Sequence, residues 1–101
     1  MGYEVRTAAA YDARFDEMMA YRMTYVGPSS ARRLLQAQDE VEQRLAALPR
    51  SGTPLDPDEA DPAGDIPRWV SVGPYVAVYE TYADVELVVL EDLFYPLEDW
   101  R

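Results

Sequence analysis

The side chains that could carry chemistry in this chain are few in kind. There is no histidine, no cysteine and no lysine, and the basic residues are nine arginines. A Ser-His-Asp machine and a histidine-based zinc site are therefore excluded. So are thiolate chemistry and disulfides. What remains is arginine to hold an anion, with a carboxylate or tyrosine to move a proton. The densest arrangement is "RWVSVGPYVAVYETY", residues 68–82, which supplies Arg68, Trp69, Tyr75 and Tyr79. Tyr75 and Tyr79 stand four apart in a segment that alternates like a strand, so they share a face. Gly73-Pro74 turns the chain and brings Arg68 back toward Tyr79 or Tyr82. Arg68 or Arg6 is then the candidate clamp, and a tyrosine the candidate proton carrier. Tyrosine ionises at about pH 10, so that role needs a shifted pKa. The structural alternatives are plain: aromatic residues favour strands, and Arg68 can be a strand-edge charge paired with a neighbouring acid.

Carboxylates suggest metal, but their placement here does not. Glu91 and Asp92 adjoin each other near one strand end, with Asp84 and Glu86 near the other. Neighbours along a strand point to opposite faces, which weakens a paired-carboxylate site unless the strand bends. No calcium-loop spacing and no glycine-rich phosphate cradle is present. No metal and no cofactor is expected.

Charge narrows the partners. Nineteen acids against nine arginines give a net charge of −10. That opposes direct binding to free nucleic acid, which depends on basic groups and counterion release. It favours steering toward a basic partner, or serves only solubility. Asp56, Asp58, Glu59, Asp61 and Asp65 crowd one stretch. Arg32 and Arg33 fall in the first turn of a predicted helix, where the dipole prefers acids. They are either tolerated surface charge or a patch that a partner uses. No apolar run approaches the ~18 residues of a membrane span, and "MGYEVRT" is not a secretory leader. A cytoplasmic protein is expected.

The elements that position these residues follow from periodicity. Residues 1–101 read as one domain. "YEVRT" (Tyr3–Thr7) alternates as a strand. Tyr11, Phe15, Met18, Met19 and Met23 recur at helical steps up to Gly27-Pro28. A second helix is predicted over Ala31–Leu48, capped by Ser29 or Ser30, with the stripe Ala31, Leu34, Leu35, Val41, Leu45 and Leu48, interrupted at Gln38. Residues 50–67 are a long acidic, Pro/Gly-rich loop. Strands follow at Arg68–Val72, Tyr75–Tyr82 and Val85–Leu90. The expected fold is α+β: an N-terminal strand and a two-helix hairpin on a mostly antiparallel sheet of about four strands. Leu34, Leu35, Val41, Leu45, Phe15 and Met18 should pack on Val70, Val72, Val78, Leu87 or Val89.

In order and spacing, "YEVRTAAAYDARFDEMMAYRMTYVGPSSARRLL", "LAALPRSGTPL", "RWVSVGPYVAVYE" and "VELVVLEDLF" resemble the RelE/ParE toxins of bacterial type II toxin–antitoxin systems. The resemblance spans about Tyr3 to Leu93. It implies a cognate antitoxin as partner and growth inhibition as activity. RelE-like members cleave messenger RNA on the ribosome; ParE-like members poison DNA gyrase. On that pattern Arg68 matches the basic position before the glycine turn, and Tyr75 and Tyr79 the aromatic positions after it. RNA cleavage by 2′-hydroxyl attack would use them as clamp and proton carrier. Arg6, Arg32, Arg33, Trp69 and Trp100 are the candidate binding residues. The chain departs from the nuclease pattern where family members often carry arginine after the "G.Y" tyrosine, for it has Val76. It also has Glu91 and Asp92 where positive charge would help. A non-catalytic inhibitor of a target such as gyrase is therefore expected. The alternatives are a RelE-type ribonuclease and an inactive toxin fold retained for interaction or regulation.

Overall fold

The computed structural model describes residues 2–56, 58 and 65–95. Its elements are β1 (Glu4–Thr7), α1 (Ala9–Tyr25), α2 (Pro28–Ala47), β2 (Thr53–Pro54), β3 (Arg68–Val72), β4 (Tyr75–Tyr82) and β5 (Leu87–Phe94). The strands form one sheet in the order β1-β5-β4-β3-β2. β1 runs parallel to β5, and the remaining neighbours are antiparallel. The helical hairpin covers one sheet face. This is the expected α+β architecture, with a fifth strand where about four were predicted. β2 is two residues long and lies inside the stretch read as loop, pairing Thr53 with Trp69 and Pro54 with Arg68. An edge position suits Pro54, which has no N–H to give a ladder.

α2 begins three residues before the predicted Ala31. Proline at the first helical position lacks a hydrogen that would go unpaired there, and its φ is preset for helix. Ser29 and Ser30 therefore lie within α2 and do not cap it. Ser30 is buried. β3 and β4 join at Gly73-Pro74, where Gly73 has φ 58°. A two-residue hairpin of the II′ kind needs a positive φ at that first loop position, which glycine adopts without strain.

The core gathers Tyr11, Met18, Leu34, Val41 and Leu45 from the helices against Val70, Val72, Ala77, Tyr79, Val88, Leu90 and Leu93. Phe15 packs beside it, half-buried. Two expected stripe residues stand outside, Leu35 at 47% exposure and Leu48 at 61%. Consecutive helix residues are ~100° apart, so Leu34 facing inward turns Leu35 toward solvent. The apparent interruption, Gln38, is buried, takes a hydrogen bond from the Tyr11 hydroxyl and donates to Glu42 at 2.8 Å.

The sheet face also differs in part from expectation. Val70 and Val72 meet the helices, but Val78, Leu87 and Val89 belong to the opposite face. Pairing fixes this: Tyr79 lies opposite Leu90 and Thr81 opposite Val88, which leaves Val89 beside Glu80 and Leu87 beside Tyr82. A bulge then interrupts the β4–β5 ladder. Val78 pairs with Asp92 and Tyr79 with Leu90, so Glu91 is the extra residue. Strict alternation after Leu90 would send Asp92 into the core. The inserted residue keeps Asp92 on the free face and returns Leu93 to the core.

Candidate functional site

β4 carries Tyr75 and Tyr79 on the helix-covered face, at 2% and 0% exposure. Four strand residues separate them by roughly 13 Å, and they serve different neighbourhoods. Tyr79 accepts a hydrogen bond from the Gly52 N–H at 2.8 Å. Arg68, opposite it on β3, donates through Nη1 to the Gly52 carbonyl at 3.2 Å and is 3% exposed. Thr81 donates to the Pro49 carbonyl at 3.3 Å. Together these contacts clamp the segment after α2 onto β3 and β4. Burial raises the Tyr79 hydroxyl above the usual tyrosine range, partly offset by the Gly52 N–H and the Arg68 charge. The phenol therefore keeps its proton at neutral pH, opposite to what a general base needs. Gly52 itself is dictated by space: a Cβ there would lie 2.5 Å from the Tyr79 hydroxyl and 2.7 Å from the Trp69 carbonyl oxygen. The turn brings Arg68 opposite Tyr79, as its spacing predicts. Arg68 is buried rather than exposed at the strand edge, because this end of β3 lies under the post-α2 segment.

Tyr75 sits at the other end of the core. Its hydroxyl accepts a hydrogen bond from Arg22 Nε at 2.9 Å. The Arg22 guanidinium lies 5.1 Å from the Tyr75 ring centroid, and the Tyr95 ring meets Tyr75 edge-on at 5.1 Å. Arg22 Nη1 also donates to Ser30 Oγ at 2.6 Å. Arg22, Val26, Ser30, Arg33, Leu34 and the Gly73-Pro74 turn line a recess of about 350 Å³. Sequence reading missed Arg22. Its signal is its place on the α1 stripe, following Tyr11, Phe15 and Met18 at steps of four, three and four. An arginine on an apolar stripe in a last helical turn has a packing or capping reason to be there.

The free face shows a different chemistry. Trp69 pairs with Val78 and so faces away from Tyr75 and Tyr79; the three form no common stacking surface. Trp69 shares this face with Val76, Val78, Glu80, Tyr82, Val89 and Asp92. Arg6 is exposed on β1 and bound to Glu4. Arg14 reaches over from α1 to Asp92 at 3.6 Å, with its guanidinium 5.5 Å from the Phe94 ring centroid. Burial, then the Glu80 charge, raises the Glu91 carboxyl. The Glu80 charge first, then burial and Glu91, raises the Tyr82 hydroxyl. This face thus concentrates negative charge. Although the bulge supplies the bend that adjacent carboxylates would need, no group of three acids is disposed to hold a metal ion among the described residues. Arg32 and Arg33 are exposed on the first turns of α2. Trp100 lies outside the described residues. No helix among them is long and apolar enough to cross a membrane.

Five strands in this order under an N-terminal helical hairpin define the RelE/ParE toxin fold. One similar solved structure is of the chromosomal ParDE TA system from P. aeruginosa. It has a TM-score of 0.67 and 13% identity, covering 92% of this chain and 95% of that one. A second is of the toxin–antitoxin complex RelBE2 from Mycobacterium tuberculosis, with TM-score 0.61, 22% identity, and coverage of 94% and 99%. A third is of the archaeal RelE-RelB complex from Pyrococcus horikoshii OT3, with TM-score 0.57, 14% identity, and coverage of 97% and 99%. No family profile and no curated protein matches the sequence.

Proposed function

We propose that this protein is the toxin-type component of a type II toxin–antitoxin pair. On this reading it is neutralised by a cognate antitoxin and arrests growth by binding a target such as DNA gyrase, without cutting RNA. The fold it shares with proteins solved in ParDE and RelBE systems supports the class. One observation supports the non-nucleolytic mechanism. The free face of β3–β5 offers carboxylates and apolar groups, and the arginines that border it, Arg6 and Arg14, each face an acid. A phosphodiester transition state gathers negative charge and needs cations held ready for it. Arg68, the residue expected to hold the phosphate, is sealed beneath Gly52.

Expression of the chain alone, and together with its neighbouring gene product, tests the class. Arrest by the first and growth with the second are expected. Plasmid supercoiling by gyrase in the presence of the purified protein should fall, while messenger RNA on translating ribosomes stays whole. Robust message cleavage by the wild type, lost in Arg68→Ala protein that still folds, would overturn the mechanism. Normal growth under confirmed expression of folded protein would overturn the class.

A further inference from the structure

The tip of the helical hairpin carries positive charge that meets the Tyr75 ring and two hydroxyls but, among the described residues, no carboxylate. Arg22 is half-buried, and its two hydrogen-bond acceptors, Tyr75 at 2.9 Å and Ser30 at 2.6 Å, are neutral hydroxyls. No carboxylate of the described residues lies within ion-pair distance of Arg22, Arg32 or Arg33. This holds in a chain with 19 acids and 9 arginines, where a chance counter-ion would be easy to find. Elsewhere Arg6, Arg14 and Arg50 each have one. A partly desolvated guanidinium without an opposite charge is costly, and a carboxylate offered to its remaining N–H groups relieves that cost. The recess beside it is roomy enough at about 350 Å³, and Arg33 lines its other wall. The N-terminus of α2, with no acid in its first turn, adds positive potential that the C-terminal carbonyls of α1 beside it partly offset.

The rim identifies the kind of occupant. Val26, which lines the recess, is 59% exposed; Tyr25 at 75% and Tyr21 at 51% lie outside the lining on the same helix, with their rings 5.1 Å apart. Exposed tyrosine beside arginine is the composition of protein-binding hot spots. A free small anion would use the arginines and leave that apolar rim idle. We propose that the hairpin tip docks an acidic segment of a protein partner. One carboxylate seats between Arg22 and Arg33, and an adjacent apolar side chain rests on Val26. This surface lies apart from the free sheet face, and the inference stands whether or not the chain arrests growth.

A random peptide library panned against the folded protein, with Arg33→Glu protein in parallel, tests this. Overall charge alone would draw basic peptides to a protein of net charge −10. Enrichment of Asp or Glu beside an aromatic or aliphatic residue is therefore a result that bulk electrostatics opposes. We expect that enrichment, and a synthetic copy of a selected peptide should shift the Arg22 Nε–H signal in the NMR spectrum. Its affinity should fall about tenfold or more in Arg33→Glu protein, a loss of ~1.4 kcal/mol. Arg33 is exposed, so the variant should melt like the wild type. Selection of peptides without acids, no selection at all, or equal binding to the variant would overturn the proposal. So would saturation of the Arg22 signal by inorganic phosphate with no peptide selected, which would make the recess a small-anion site.

Discussion

Replacing Arg68 by alanine separates a structural clamp from a reactive group. Arg68 is 3% exposed and holds the Gly52 carbonyl at 3.2 Å, against the Tyr79 that holds the Gly52 N–H. Removing the guanidinium forfeits a charge-assisted hydrogen bond, about 1.5–3 kcal/mol. Loss of the two methylenes beyond Cβ adds ~1.6 kcal/mol of burial. Against this stands the relief of no longer burying a cation, about 1 kcal/mol because the guanidinium is partnered rather than isolated. The net expectation is a loss of about 2–4 kcal/mol. For a domain of this size that lowers Tm by at least about 8 °C. Arg68→Met keeps the stem and removes the charge, so it should lose less. Thermal melts followed by near-ultraviolet circular dichroism, which senses Trp69 and the neighbouring tyrosines, read both variants. If both variants melt within ~0.5 kcal/mol of the wild type, the Arg68 contact does not hold the post-α2 segment to the sheet.

Leu45, fully buried, should cost about 2–5 kcal/mol when cut to alanine. Leu35→Ala, at an exposed position, should stay within ~0.5 kcal/mol by urea unfolding. The raised Glu91 carboxyl works against the fold at neutral pH. A raised folded-state pKa contributes stability below the unfolded carboxylate value of about 4.3 and loses it as pH rises through the folded value. Glu91→Gln should therefore raise Tm at neutral pH, with the gain fading as Glu91 becomes protonated in acid. Burial holds the Tyr11 and Tyr79 hydroxyls above the usual range. Stability should thus fall as pH passes the unfolded tyrosine value of about 10, by up to ~1.4 kcal/mol per pH unit for each. Tyrosinate absorbance that rises for all tyrosines before the circular dichroism changes would contradict this.

Where periodicity is strong, the chain declares its fold. The α1 and α2 stripes, the Gly27-Pro28 and Gly73-Pro74 breaks and the alternation in β4 each specify an element independently, and tertiary packing agrees with all of them. Boundaries were less legible. Ser29 and Ser30 look like caps, but Pro28 starts the helix by its own geometry and commits Ser30 to Arg22. The short β2 was hidden because two residues, one of them proline, make no periodic signal; only pairing with β3 defines them as strand. The site was least legible. Arg68, Tyr75 and Tyr79 share a face as their spacing requires, yet spacing says nothing about which face the helices cover.

That choice of face governs the functional reading, and β5 shows how it is made. "LVVLEDLF" is apolar at both parities until Glu91, so hydrophobicity alone does not orient it. The acids decide. With Val88 and Leu90 inward, an unbroken strand would bury Asp92 and expose Leu93. With the opposite parity it would bury Glu91 and expose Val88 and Leu90. One inserted residue avoids both costs: Val88, Leu90 and Leu93 all reach the core at 0% exposure, and both acids stay out of it. The same solution sets Tyr79 opposite Leu90, and the two-residue Gly73-Pro74 hairpin independently sets Arg68 opposite Tyr79, on the same sheet face. Burial of the arginine expected to hold a phosphate and retention of acids on the free face are therefore linked only through the inward parity that Tyr79 shares with Leu90. Deleting Glu91 tests the link. Without Glu91 the strand alternates regularly, Leu90 inward, Asp92 outward and Leu93 inward, so the variant should keep the β4–β5 register and melt within about 1 kcal/mol of the wild type. A deletion variant that loses several kcal/mol, or in which Leu93 loses its protection in hydrogen exchange, would show that the register does not rest on this parity.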